Sequence, residues 1–163
     1  MNMNRKAMVA CLKGIVVTLV VLCALFFFGL LPMEGRLLME LEKDLAWAYW
    51  PCLIWAWLFA VPVFGAAVPA WQIFDTLKEK GKAFCSENSR RFRLIAFCSW
   101  ASAFIFLAGL IIMGANGVGS GPLWFAVAPM LLLGLCAFGF ACFAMSGLVK
   151  ESAEMKEENE LTV

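Results

Sequence analysis

Residues Ile15–Leu31 read IVVTLVVLCALFFFGLL, seventeen residues without a charge, and they run up against Pro32. A bilayer core is about 30 Å thick, and a helix rising 1.5 Å per residue needs about 20 mostly apolar residues to cross it. Extended a few residues upstream, the stretch makes a first span over 12–31. Three more blocks of the same kind follow, over 46–74 (AWAYWPCLIWAWLFAVPVFGAAVPAWQIF), 92–113 and 123–149. Apolar blocks this long suit helices, which close their backbone hydrogen bonds within the segment. The strands of a membrane barrel would instead alternate over about ten residues. The expected fold is therefore all-α, an integral membrane four-helix bundle. Residues 1–163 are expected to form a single four-span membrane domain, with an acidic tail over 150–163.

The composition agrees. Of 163 residues, 63% are hydrophobic and 15% charged, with a mean hydropathy of +0.85, against about 45–50% and about 25% in soluble domains. This excludes a water-soluble globule and a disordered chain. A net charge of +1 argues against direct binding of nucleic acid, which needs clustered cations. The chain has no His, which removes His-based triads, His proton relays and the commonest zinc and haem ligand sets. Seven cysteines are present but no C-x-x-C pair, and Cys in an apolar span behaves as a small hydrophobe. No metal or other cofactor is expected, and without a nucleophile–base pair the chain is not expected to be an enzyme.

The few charges set an orientation. Arg5, Lys6 and Lys13 precede the first span, Lys78, Lys80, Lys82, Arg90, Arg91 and Arg93 lie between the second and third, and Lys150 and Lys156 follow the fourth. The opposite side has only Arg36 and Lys43, against Glu34, Glu40, Glu42 and Asp44, and an uncharged loop GANGVGSGP over 114–122. The positive-inside rule places both termini and the second loop in the cytoplasm. The first apolar run exceeds the 7–15 residues of a signal peptide and no A-x-A site follows, so it is read as a retained span.

No ionisable group lies at the centre of any span. Lys13 and Asp75 sit at edges, where they are expected to reach the headgroups. This weighs against a proton-coupled transporter, a voltage sensor or a charge-lined channel. Small residues recur at helical spacing: Ala56 and Ala60, then Ala96, Ser99 and Ala103, then Ala137 and Ala141, with Gly139 and Gly147 two turns apart. They are read as packing within the bundle, with a homo-oligomer contact as the alternative. Pro51, Pro62 and Pro69 in the second block and Pro129 in the fourth are expected to kink their helices. Trp55, Trp57 and Trp100 lie deep, for packing, lipid contact or lining an apolar pocket. Leu37, Leu38, Leu41, Leu45 and Ala48 recur on one face, which suits a short amphipathic interfacial helix in the first outer loop.

The segment 75–97, DTLKEKGKAFCSENSRRFRLIAF, is the most distinctive. Gly81 breaks the preceding helix. Ser86 is placed to N-cap the next one, with Glu87 in its first turn. Glu87 can pair with Arg91 one turn on, and Arg90 and Arg93 share a face. Two readings stand: cations held at anionic headgroups, or a docking surface for a cytoplasmic partner. The tail KESAEMKEENELTV places Glu151, Glu154 and Glu158 on one helical face, where they are expected to meet Arg90 and Arg93.

Gly81, Phe84, Glu87, Asn88, Arg91, Phe92, Arg93 and Ile95 in this loop, with Glu157, Glu158, Asn159, Glu160, Leu161, Thr162 and Val163 at the C-terminus, resemble a bacterial membrane family known as domain of unknown function 2975. The resemblance covers nearly the whole chain. It departs at Ala83, where the family commonly has Pro, and at Glu160, where Asp is commoner. The family has no established reaction, and its members are often encoded beside a small helix-turn-helix regulator of the Cro type. The resemblance thus implies a cytoplasmic transcriptional regulator as partner, besides the lipid bilayer. The candidate docking residues are Phe84, Ser86, Glu87, Asn88, Arg90, Arg91, Arg93, Glu157, Glu158, Asn159, Leu161 and Thr162. The expected function is that of a non-enzymatic membrane regulator or sensor. The alternative is a small transport, export or immunity-type component for an apolar compound or peptide.

Overall fold

The computed structural model describes residues 5–77, 85–118 and 122–161, and all its regular structure is helical. Helix α1, Arg5–Ala24, passes through a π-helical turn, Leu25–Leu30, directly into α2, Leu31–Leu41. A 3-10 turn, Lys43–Ala48, leads into α3, Tyr49–Thr76. Then come α4, Ser86–Ala115, and α5, Pro122–Leu161. Four stretches are long and apolar enough to cross a membrane: Ala7–Leu41, Lys43–Thr76, Ser86–Ala115 and Ala126–Lys156.

The first helix does not stop at Pro32, as the sequence suggests. Proline lacks an N–H, and its ring disturbs the preceding turn. Here the chain widens instead: the Leu31 N–H bonds to the Phe26 carbonyl five residues back. That leaves the Phe27 carbonyl with no N–H of its own helix, since Leu31 is taken and Pro32 has none to give. The Trp57 indole on α3 fills the gap, donating to the Phe27 oxygen at 3.2 Å. A buried carbonyl without a donor is costly in a membrane, so Trp57 is what lets the helix run on past the proline. The apolar face over 37–48 is in turn not one helix. It is split at Glu42 (φ −119°, ψ 83°) between the end of α2 and the 3-10 turn.

The helices form an open row rather than a closed bundle. The order across the row is α1, α3, α4, α5. Among the described residues no Cα of α1 comes within 8 Å of α4 or α5, and none of α3 does so with α5. Lipid tails are as apolar as leucine, so nothing forces the row to close; close packing and polar contacts decide which helices meet.

The tightest contact is between α4 and α5, and its cause is legible in the side chains. Ala128, Leu132, Leu135, Gly139, Cys142, Ser146 and Val149 form a line of covered positions along α5. Their alternating steps of four and three are the seam of helices packed at a shallow left-handed angle. Ala137, Ala141 and Gly147 lie off this seam and are exposed, which corrects the packing face expected for the fourth span. On α4, Ala96, Ser99 and Ala103 are buried as expected. Ser99 Oγ donates to the Leu135 carbonyl at 2.7 Å. Two indoles pack directly against glycines: a Cβ at Gly109 would overlap Trp55, and one at Gly139 would overlap Trp100. The Trp100 N–H is buried without a hydrogen-bond partner, so that contact rests on packing. Trp55 also donates to the Ile105 carbonyl at 2.9 Å, joining α3 to α4.

Candidate functional site

The start of α1 and the end of α5 lie at one end of the row, and polar side chains gather there. Lys13 on α1 is turned toward the neighbouring helix α3. Its ammonium pairs with Asp75 on α3 at 2.5 Å and sits 4.2 Å from the centre of the Trp71 ring. With half of the Asp75 side chain exposed, the pair is screened and contributes about 1 kcal/mol or less.

A second cluster joins α3 to α4. Thr76 donates its hydroxyl to the Ile73 carbonyl at 2.7 Å and accepts from Asn88 Nδ2 at 2.7 Å. Asn88 Oδ1 accepts from Arg91 Nη1 at 2.8 Å. The same guanidinium donates to Gln72 Oε1 at 3.2 Å and to Glu87 Oε2 at 3.3 Å. The predicted Glu87–Arg91 pair is thus present, but it is the outer edge of a network that runs inward. Asn88 is wholly buried. Its side chain is spent inside the protein, which takes it out of the set available to a docking partner. Removing it would take one acceptor from the Arg91 guanidinium and one donor from the Thr76 hydroxyl, and hydrogen bonds to charged groups each contribute about 1.5–3 kcal/mol.

A third cluster joins α4 to α5. Ser89 and Ser146 are both buried, and each hydroxyl donates to the other's backbone carbonyl at 2.8 Å. The reciprocal pair fixes the register of the two antiparallel helices. It also overturns the expected tie between tail and arginines. With Ser89 level with Ser146, Arg93 lies level with Cys142. Glu154 is then twelve residues, about 18 Å, farther along the axis. Glu154 instead bonds Lys150 on its own helix at 3.5 Å, and no ion pair joins Arg90 or Arg93 to Glu151 or Glu154 among the described residues.

The remaining candidate residues separate cleanly. Ser86, Glu87, Arg90 and Arg93 are exposed. Ser86 is the first residue of α4 rather than its cap: the N-cap is Cys85, in extended conformation and without a side-chain bond. Its carbonyl instead accepts the N–H groups of Asn88 and Ser89 at 3.0 and 3.3 Å. Glu157, Glu158, Asn159 and Leu161 lie on the last turns of α5, and Glu158 is exposed. Phe84 and Thr162 fall outside the described residues. None of the seven cysteines forms a disulfide.

Reading the sequence missed Gln72 and Thr76 as partners of the loop motif, and it missed the other end of the row. There α2, the 3-10 turn, the start of α3 and the end of α4 surround an apolar cavity of about 440 Å³. The signal for it was weak, two acidic residues on an otherwise apolar helical face.

A row of long apolar helices, tied at one end by polar contacts, defines a multi-pass membrane protein. Residues 33–163 match the family described as Protein of unknown function (DUF2975). That is most of the chain, and the chain belongs to this family. It is also similar to the uncharacterized membrane protein YoaS of Bacillus subtilis (strain 168), with 22% identity over 162 residues, 99% of this chain and 100% of that protein. No solved structure matches it significantly.

Proposed function

We propose that the protein is a non-enzymatic regulator or sensor of the bacterial plasma membrane, with both termini in the cytoplasm, and that it docks a helix-turn-helix regulator at the end of the row holding its termini. The observation that carries this reading is a division of labour in one turn of helix. Asn88 and Arg91 turn inward and hold α4 to α3, whereas Glu87, Arg90 and Arg93 stay exposed. Beside them α5 runs on through Lys150–Leu161, past the start of α4, for about 18 Å. Exposed cations of α4 and an acidic helix standing above them make a ledge of mixed charge. The protein itself contacts no DNA in this reading; the regulator does.

The test is capture of a Cro-type helix-turn-helix regulator, where one is encoded beside the gene for this chain, by the full-length protein in lipid nanodiscs. Reversing both cations, Arg90→Glu with Arg93→Glu, is expected to lower capture at least tenfold with no change in melting temperature. Unchanged capture would refute the docking face. Reporter fusions at each terminus check the orientation, and a reporter active only outside the cytoplasm at either terminus would refute it.

A further inference from the structure

We propose that the cavity at the end of the row opposite the termini is a binding site for a single-chain amphiphile with a cationic head. The cavity holds about 440 Å³, within the about 300–1,000 Å³ of small-molecule sites. Its walls come from four elements. Gly35 on α2 lies against the Tyr49 ring, where a Cβ would meet Cε2 at 2.9 Å, so α2 and α3 touch there and part beyond. The floor is Trp55, which is held by its bond to Ile105 and by the bare backbone of Gly109. Cys52 Sγ and Met113 Sδ approach to 3.6 Å across the base.

The end of α4 completes the wall by a specific turn. Val118 N–H bonds to the Met113 carbonyl at 3.0 Å and Gly117 N–H to the Gly114 carbonyl at 3.1 Å. Gly117 has φ +76°. This is a Schellman ending, which needs a left-handed residue and brings the residue after it back to the last turn. Val118 thereby joins Met113 in the cavity lining.

The chemistry of the lining is one-sided. It is apolar apart from Tyr49, Cys52 and the indole, and it carries two carboxylates, Glu34 and Glu42, with no Lys or Arg. Both carboxylates are exposed, and neither has an ion pair among the described residues. An alkyl chain fills an apolar cavity, and a cationic head beside it meets two unpaired negative charges. A fatty acid would place its own carboxylate against them. The site lies at the other end of the row from the docking face, and its test needs no regulator.

The test uses the full-length protein in phosphatidylcholine nanodiscs and a dodecyltrimethylammonium probe carrying a photoreactive diazirine in its chain. Labelling is expected on residues 31–56 and 113–118 and is expected to saturate. Unlabelled dodecyltrimethylammonium is expected to compete at least tenfold better than dodecanol, equivalent to about 1.4 kcal/mol, and dodecanoate to compete worst. Glu34→Gln with Glu42→Gln removes two exposed charges and leaves the cavity intact. It is expected to abolish the preference for the cation and to leave competition by dodecanol unchanged. Ala56→Phe, which fills the cavity, is expected to remove labelling altogether. Labelling that unlabelled probe does not displace, equal competition by all three heads, or a preference that survives the double substitution would each overturn the proposal.

Discussion

Across its most apolar stretch, α4 has 39% of its residues buried within the chain, while the first helix has 6%, although the first is the more apolar, at mean hydropathy 2.9 against 2.3. Hydropathy therefore ranks the two helices in the wrong order for burial. It measures the tendency to leave water, and in a bilayer both helices have already done so. What draws α4 inward is the set of small and weakly polar residues on two of its faces, among them Ser89, Ala96, Ser99, Ser102, Ala103 and Gly109. These let backbones approach and hydroxyls reach carbonyls across the gap. The first helix presents Ile15, Val17, Leu19, Val21 and Leu22 outward, each about half exposed, and among the described residues α3 is the only other spanning helix that it meets.

The sharpest way to break this comparison is to place the same side chain on each kind of helix. Gly139→Leu puts a side chain where the Trp100 indole lies on the α4–α5 seam. It is expected to lower stability by about 3 kcal/mol, at the upper end of overpacking costs. At Gly14 on α1 an added Cβ meets nothing within 4 Å, and Gly14→Leu is expected to stay within about 0.5 kcal/mol. Thermal unfolding in detergent compares the two, and equal losses would remove the distinction.

A smaller contrast lies in the polar contacts. Asn88→Ala strips a buried, charge-assisted network and is expected to cost about 2 kcal/mol. Lys13→Met removes the partly exposed pair with Asp75 and is expected to cost about 1 kcal/mol or less. The first loss should persist in high salt and the second should shrink, because exposed pairs are screened. Trp57→Phe has the smallest effect, about 1 kcal/mol. It keeps the ring and removes only the donor to the Phe27 carbonyl. The same substitution combined with Pro32→Ala, which restores an N–H to the first helix, is expected to recover most of that loss.

Much of this was legible in the sequence, and the failures have physical causes. The four spans follow from block length, and the Glu87–Arg91 pair and the Ala96, Ser99, Ala103 face from helical spacing. The α5 seam was misread because alanines at 137 and 141 look like a small-residue face. The true seam steps by four and three through Gly139, Cys142 and Ser146, with apolar residues of every size between. Asn88 reads as a docking residue in the sequence because charged neighbours surround it. Seven-residue steps from it lead to Ile95, Ser102 and Gly109, all buried, and that spacing was the available signal. The end of the first helix was placed at Pro32 because the compensating donor, Trp57, is thirty residues away. The open row and the cavity depend on which helices decline to meet, and apolar blocks facing lipid carry no mark of that.

Helix α4 has packed neighbours on two sides, whereas α1 faces mostly lipid. Oxygen accessibility of spin labels placed singly along 94–107 and along 15–22 measures this directly. On α4 the labels at 95, 96, 99, 102, 103 and 106 are expected to be shielded and those at 94, 97 and 104 open to lipid, whereas on α1 those at 15, 17, 19, 21 and 22 are expected to be open. Shielding along α1 as deep and as periodic as along α4 would contradict the account and would mean that another chain covers the first helix.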